Sequence, residues 1–271
     1  MSVKAHEIGK QMKEEWASID ISDISPESYP DNNHPKMIVE YTGEGSRGKT
    51  HSACSWPKAC LISTEGKGGI IAKKFGIPWY RPQNFDEVMK YVKVAMLDPK
   101  IESIVIDNIK DVLDWAELYV LRVLSEQRRK EVKSLYSKAG AVQYNLLYER
   151  MDWLLSFIKR NGKNCILTSR VKDEYINDTR TGHLIKDGYK KSHYICDLEI
   201  RFTEEINWKG KTYTDGTVVG RVMKNAYVRW GEHKPYLKDV TYPAILEAME
   251  PVKQDTYMAE FISGGGGEDD W

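Results

Sequence analysis

The fold of this chain is decided by residues 43–50, Gly43-Glu44-Gly45-Ser46-Arg47-Gly48-Lys49-Thr50. They fit the phosphate-binding pattern G-x-x-x-x-G-K-[ST], in which glycines let successive backbone N–H groups point at one anion. The context also fits, because residues 36–41 predict a strand before the pattern and residues 50–55 can begin a helix after it. A strand, a glycine-bearing turn and a helix N-terminus in this order predict a phosphate-binding loop.

The same loop supplies the predicted cofactor contacts. Lys49 can reach the outer phosphates of a nucleotide, and the Thr50 hydroxyl can ligate Mg²⁺. We therefore expect ATP and Mg²⁺ as cofactors. The residues expected to contact the nucleotide are Gly43, Gly45, Ser46, Arg47, Gly48, Lys49, Thr50 and His51.

A second carboxylate-bearing motif lies farther along the chain. Residues 100–107 form a β-branched apolar run that ends in Asp107. Such a run is typical of a strand buried in a parallel sheet, and its carboxyl end lies where α/β folds bind ligands. We expect Asp107 to hold Mg²⁺ together with Thr50, directly or through water. The alternative for an Asp that closes a strand is a helix N-cap.

Two more predicted strands end in polar side chains. Residues 59–63 lead to Glu65, a candidate for orienting the attacking water, although an exposed loop Glu fits the spacing equally well. Residues 164–168 lead to Ser169 and Arg170, and the permanent charge of Arg suits a role in sensing the terminal phosphate. The expected catalytic residues are Lys49, Glu65, Asp107 and Arg170.

Composition limits the class of protein. The chain has 271 residues, enough for one large domain or two small ones. Lys plus Arg and Asp plus Glu each number 40, so the net charge is zero and any nucleic-acid contact must be local. The four cysteines lack C-x-x-C spacing, which favours buried thiols in a reducing compartment. Since no stretch has the length and apolarity of a membrane span or signal core, we expect a cytoplasmic protein without membrane contact.

Predicted helices lie between the strands. One begins at Asn84 with Glu87 three residues later, a capping-box signature, and runs to about Leu97. Residues 110–138 predict another helix, and a third, amphipathic one follows a break at Gly140. Strand, helix and strand alternate three times, which predicts an α/β fold with a mostly parallel sheet flanked by helices.

Composition shifts predict the domain organisation. Residues 1–35 combine a short helical pattern with a Pro- and Ser-containing linker, so we expect an N-terminal arm. One domain is expected at 36–250, in which residues 203–230 add a β-hairpin region. Residues 251–271 are expected to form a flexible acidic tail, because four glycines precede a Glu-Asp-Asp-Trp end. This tip suits docking on a protein partner, binding in the chain's own basic groove, or a frayed end.

Residues 171–194 interrupt the alternation of strands and helices. Basic groups are interleaved there with the rings of Tyr175, Tyr189 and Tyr194. That mixture suits single-stranded nucleic acid, because cations follow phosphates while rings stack on bases. Four acidic residues dilute the charge, so a structural β-hairpin that turns at 178–182 is the alternative.

Taken together, these motifs resemble the phage-encoded ATPases of RecA-like core that act in single-strand annealing and recombination. The resemblance covers about residues 37–202. It rests on the loop at 43–50, on Ser63-Thr64-Glu65-Gly66, on Ile104-Val105-Ile106-Asp107, on Thr168-Ser169-Arg170 and on the stretch at 187–200. The chain departs from the family pattern at Ser63, where relatives usually carry Asp, and at Arg170, where Gln or His is more common.

The resemblance implies a RecA-like P-loop sheet and a catalytic glutamate at Glu65. In these relatives the loop after the strand equivalent to 164–168 contacts single-stranded DNA, which favours that role for residues 171–194. It also implies self-assembly into a ring or filament, because a neighbour usually completes such sites. Arg221 and Lys224 either reach a nucleotide held by a neighbour or are ordinary surface charges.

The sequence thus predicts a Mg²⁺-dependent ATPase that binds single-stranded DNA and acts in phage-type recombination, annealing or replication, in the host cytoplasm if phage-encoded. A packaging, helicase or loader motor on the same core is one rival. A non-catalytic DNA-binding module switched by nucleotide is another. ATP turnover measured with and without single-stranded DNA separates these functions.

Overall fold

The computed structural model describes residues 36–128 and 140–263. The strands of this part are β1 (Ile38–Thr42), β2 (Ala59–Ser63), β3 (Trp79–Tyr80), β4 (Ser103–Asp107), β5 (Asn164–Ile176), β6 (Thr179–Asp187), β7 (Leu198–Thr203), β8 (Ile206–Trp208), β9 (Lys211–Tyr213), β10 (Val219–Asn225) and β11 (Tyr236–Leu237). Its helices are α1 (Lys49–Cys54), α2 (Gly68–Phe75), α3 (Phe85–Leu97), α4 (Ile109–Arg128), α5 (Gly140–Arg160), α6 (Ser192–Ile195), α7 (Tyr242–Ala248) and α8 (Gln254–Ser263).

A nine-stranded sheet forms the centre, in the order β11-β10-β7-β1-β5-β4-β2-β3, with β6 paired to β5 outside this path. The pairs from β7 to β3 are parallel, whereas β10 and β11 add an antiparallel edge. The predicted mostly parallel α/β sheet is therefore confirmed. Strand β5 lies between β1 and β4, so the carboxyl ends of these three strands meet at one edge of the sheet.

Helices cover both faces of the sheet, which explains the continuous apolar runs of its strands. On one face α3, α4 and α5 pack against Ile62, Ile106 and Leu167. On the other face α1, α2 and α7 pack against Leu61 and Val105. Neighbouring residues of one strand thus belong to different cores, as the period of two requires. All four cysteines are buried free thiols, as predicted.

Helix α3 shows how local sequence signals set a boundary. Its N-cap Asn84 accepts a hydrogen bond from the Glu87 N–H at 2.9 Å, and the Glu87 carboxylate accepts one from the Gln83 N–H at 2.8 Å. Such caps contribute about 1 kcal/mol each. The predicted helix from this cap to Leu97 is confirmed.

Beyond the sheet, β5 continues into a hairpin with β6 that turns at Asn177 and Asp178, both with positive φ. This pair of φ values is typical of the tight turns that match strand twist. The predicted β-hairpin therefore forms over residues 170–187, with its turn slightly earlier than predicted. A second hairpin, β8–β9, lies within the predicted region at 203–230.

Two boundaries differ from the sequence prediction. The alternation of apolar and polar residues from Ile195 predicts a strand that starts there, but β7 begins at Leu198, because Ser192–Ile195 form the short helix α6. Residues 254–263, which were expected to belong to the flexible tail, instead form α8, whose Met258 and Phe261 are buried against the β10–β11 edge. The predicted arm at 1–35, the end of the helix predicted at 110–138 and the glycine-rich tip lie outside the described residues. Among the helices described, none combines the length and apolarity needed to cross a membrane.

Candidate nucleotide-binding site

The loop predicted to bind phosphate curls between β1 and α1. Gly43 has a φ of 149°, and a Cβ at this position would lie 2.9 Å from the carbonyl oxygen of Phe202 on β7. Gly48, with a φ of 84°, makes the turn into α1. Residues with side chains are disfavoured at both positions, by contact at the first and by backbone conformation at both. The curl therefore depends on the glycines that the pattern specifies.

Lys49 lies inside this curl. Its ammonium donates hydrogen bonds to the carbonyl oxygens of Gly43 at 2.9 Å and Glu44 at 2.5 Å. Burial lowers the pKa of Lys49, and the negative charge of Asp107 opposes that shift. The cation is thus held at the centre of the loop, where the outer phosphates of a nucleotide are expected.

Asp107 is buried at the end of β4 and is surrounded by hydroxyl groups. Thr50 and Ser63 each donate a hydrogen bond to Oδ2 at 3.2 Å, and Thr168 donates to Oδ1. Burial raises the pKa of Asp107, although the hydrogen bonds from the three hydroxyls oppose this shift. The Thr50 hydroxyl and the Asp107 carboxylate are the oxygen ligands that Mg²⁺ prefers. These residues fit the predicted ion.

Glu65 and Arg170 meet at the same edge. Arg170, on β5, forms an ion pair with the Glu65 carboxylate, and this hydrogen bond raises the pKa of Arg170. The Asn108 side chain lies 3.4 Å from Glu65 and 3.3 Å from Asp111. Thr64 donates a hydrogen bond to Asp111 at 2.5 Å. The carboxylate expected to orient water is therefore already held by a cation and an amide.

Other predicted residues have different surroundings. Arg47 forms ion pairs with Glu44 at 2.9 Å and with Glu204. Because Glu204 directly follows β7, the second ion pair connects the loop to the end of that strand. The His51 ring packs on Phe75 with 4.7 Å between ring centroids, and its side chain contributes no described contact to the Lys49–Asp107 cluster. Gly45, Ser46 and Gly48 complete the curl, with a φ of 63° at Ser46.

Sequence reasoning missed several residues of the site. Ser63, Thr168 and Asn108 contact Asp107 or Glu65, but only their positions at strand ends could have indicated this. Ser169, considered beside Arg170 for phosphate sensing, is fully buried and donates to Glu40 on β1. A strand alternates its faces, so consecutive residues at its end serve different clusters.

The sheet order, the glycine-dependent curl and the Lys49–Thr50–Asp107 cluster together define a P-loop nucleotide-binding protein. Residues 35–224 match the sequence profile of the AAA domain, which covers well over half of the chain. The chain therefore belongs to this family of P-loop ATPases. A search of curated proteins finds no match.

Proposed function

We propose that this protein is a Mg²⁺-dependent ATPase that acts on single-stranded DNA in phage-type recombination, annealing or replication. One observation carries the proposal. On the single strand β5, Thr168 bonds to Asp107, Arg170 pairs with Glu65, and the following residues form the projecting hairpin. The same strand thus contacts the proposed metal-binding carboxylate, the proposed water-orienting carboxylate and the proposed DNA element.

Each residue at the sheet edge has a role in this proposal. Lys49 binds the outer phosphates, while Thr50 and Asp107 hold the ion. Bound Mg²⁺ would neutralise charge that develops on the phosphates. Glu65 orients the attacking water once Arg170 has turned toward the terminal phosphate, which competes with Glu65 for the guanidinium.

The β5–β6 hairpin and the adjacent α6 carry the proposed DNA contacts. Tyr175 and Ile176 near the tip are 61% and 58% exposed, and Tyr194 on α6 is 82% exposed. Exposed rings are platforms on which bases stack. Lys172 and Arg180 pair with acidic side chains of the hairpin, at 2.9 and 2.6 Å. DNA phosphates would replace these acidic partners, which makes the binding salt-dependent.

Self-assembly into a ring or filament, and a protein partner for the acidic tail, belong to the same proposal. Sedimentation of the full chain with and without ATP tests the assembly. A single species of monomer mass under both conditions would contradict it.

The decisive test is ATP hydrolysis with and without a single-stranded oligothymidylate. Lys49→Ala is expected to abolish turnover, whereas Lys100→Ala, an exposed lysine before β4, should leave it unchanged. Tyr175→Ala/Ile176→Ala is expected to remove stimulation by the oligonucleotide, whereas Leu118→Ala, an equally exposed apolar residue on α4, should retain it.

The same assay separates the rival functions. Stimulation by duplex but not by single strands would indicate a translocating motor. ATP binding without turnover would indicate a nucleotide-switched binding module. Normal turnover in Lys49→Ala would overturn the site assignment itself.

A further inference from the structure

Two arginines face each other on the sheet, beside the end of β1 that leads into the P-loop. Arg201 of β7 and Arg221 of β10 are directly opposite in the antiparallel pair, and Thr42 is the neighbour of Arg201 on β1. Opposite residues of such a pair point to the same face with Cβ atoms about 5 Å apart, and like charges there are destabilising. The register therefore imposes a repulsion that the structure must offset.

Among the described residues, no carboxylate forms an ion pair with either arginine. The Arg201 Nε is buried and has no hydrogen-bond partner. Glu199, two residues away on the same face, is engaged instead by His193 at 3.0 Å and Lys186 at 3.6 Å. Burial and then the charge of Arg221 lower the pKa of Arg201, with only a smaller opposing effect from Glu199.

Two neighbouring lysines, in contrast, have polar partners. Lys186 pairs with Glu40 at 2.8 Å, and Lys224 donates to the carbonyl oxygen of Cys196 at 2.6 Å. A buried polar group without a partner costs free energy, so such groups are rare in folded proteins and call for an explanation. Arg201 differs from these lysines because its buried Nε has no partner, as is also true of Glu199 Oε1 on the same face, whereas Arg221, the other member of the arginine pair, is exposed.

We infer that the arginine pair is a binding site for a phosphate group. Two adjacent guanidinium groups offer planar, permanently charged donors that match phosphate oxygens. An anion between them would remove the repulsion and supply a partner for the buried Nε. The phosphate belongs either to a nucleic-acid backbone or to a small ion or nucleotide.

The position of the pair favours a nucleic-acid backbone. Lys186, at the base of the β5–β6 hairpin, contacts Glu199 on the same face of β7 as Arg201. The arginine pair therefore lies beside the element proposed to contact DNA. This part of the inference rests on the proposed function, whereas the phosphate site itself does not.

The experiment uses the full chain carrying Lys49→Ala, so that the P-loop no longer contributes phosphate binding. Thermal unfolding is measured in sodium phosphate and in sodium chloride of equal ionic strength. At phosphate about tenfold above its dissociation constant we expect the midpoint to rise by about 2–4 °C. Adding Arg221→Gln should abolish this rise, whereas adding Arg229→Gln, an exposed arginine in a nearby loop, should preserve it.

A charge reversal distinguishes binding from a packing role. Arg221→Glu should pair with Arg201 and raise the midpoint in chloride, yet it should remove the response to phosphate. A second experiment identifies the source of the phosphate. Oligothymidylate affinity is measured against salt concentration for the chain with Lys49 intact. If the arginine pair binds a backbone phosphate, Arg221→Gln should reduce the slope of log affinity against log salt concentration by about one. If Arg221→Gln leaves this slope unchanged while the Lys49→Ala chain still responds to phosphate, the site binds a small ion or nucleotide. No phosphate response in the Lys49→Ala chain overturns the inference, whatever the ATPase assay gives.

Discussion

Two buried carboxylates of the same sheet, Glu40 and Asp107, are stabilised in opposite ways. Glu40 on β1 is fully buried and receives a lysine ammonium, from Lys186 at 2.8 Å, besides hydroxyl bonds from Ser169 and Ser192. Asp107 on β4 is 7% exposed and receives hydroxyl bonds only. Within the described chain, no Lys or Arg pairs directly with it.

This difference indicates a structural role for Glu40 and a ligand-binding role for Asp107. Burial lowers the pKa of Lys186, but the charges of Glu40 and Glu199 outweigh burial and leave it raised. Within the described residues, both carboxylate oxygens of Glu40 have hydrogen-bond partners, so the Glu40 cluster is complete without a ligand. At Asp107 burial dominates and raises the pKa, and no cation among the described residues pairs directly with the ionised carboxylate. A divalent cation bound beside Thr50 would act as its counter-ion.

The largest effect is expected when Asp107 is replaced. Asp107→Asn should lower the ATP hydrolysis rate about a thousandfold, because a bound metal contributes several kcal/mol to transition-state stabilisation. Steady-state turnover against Mg²⁺ concentration measures this. Asp114→Asn, on the exposed side of α4, is the control. Turnover within tenfold of the unchanged protein would contradict the metal role.

Replacing Glu40 should lower the stability of the fold and leave the Mg²⁺ dependence of turnover unchanged. Glu40→Gln should lower the free energy of unfolding by about 3–5 kcal/mol, because Lys186 keeps a buried charge without its partner. Urea unfolding measures the loss. Glu40→Gln/Lys186→Met should recover part of it. A loss below about 1 kcal/mol in the single variant would mean that the pair is not structural.

The pH dependence of stability should reveal the raised pKa of Asp107. Because the folded pKa of Asp107 is raised, its contribution to stability is fully present below the unfolded value of about 3.9 and is lost as pH rises through the folded value. Metal-free Asp107→Asn should therefore gain stability relative to the unchanged protein as pH increases across that window. Mg²⁺ should stabilise the unchanged protein increasingly over the same window, since it binds the ionised form. Parallel pH profiles would contradict the raised pKa.

The smallest change in stability is expected at the Arg170–Glu65 pair. Its side chains are 57% and 36% exposed, so Arg170→Gln should alter the free energy of unfolding by less than about 1 kcal/mol. The ratio of turnover with and without oligothymidylate should nevertheless fall toward one, because β5 would no longer link the hairpin to Glu65. An unchanged ratio would show that the coupling takes another route.

Local sequence signals predicted much of the fold and part of the nucleotide-binding site. The glycine pattern at 43–50, the cap at Asn84 and the apolar run ending at Asp107 each act over a few residues, and the structure contains all three elements. Their spacing also predicts that Thr50 and Asp107 share one edge. Such features depend on backbone conformation and strand direction, which neighbouring residues determine.

Long-range pairings were not predictable in this way. Lys186 and Glu40 are 146 residues apart, and Arg170 and Glu65 are 105 apart. Their contacts depend on strand order and on the register between distant strands, which alternation within one strand does not encode. The same holds for Arg201 opposite Arg221. Residues 254–263 were assigned to the tail because the apolar side chains of this segment pack against Val219 and Tyr236, which lie on other elements of the chain.

The continuity of β5 has a mechanical consequence. Seven residues, 170–176, extend past the parallel strands and pair with β6, with a register shift between Asp173 and Tyr175; treated as a rod, they span about 23 Å at about 3.3 Å per residue. A rotation of about 5° at the Arg170 end would displace the tip of such a rod by about 2 Å. A spectroscopic label placed at Asn177 would therefore register small adjustments around the nucleotide as distance changes, far from any atom that touches the phosphates.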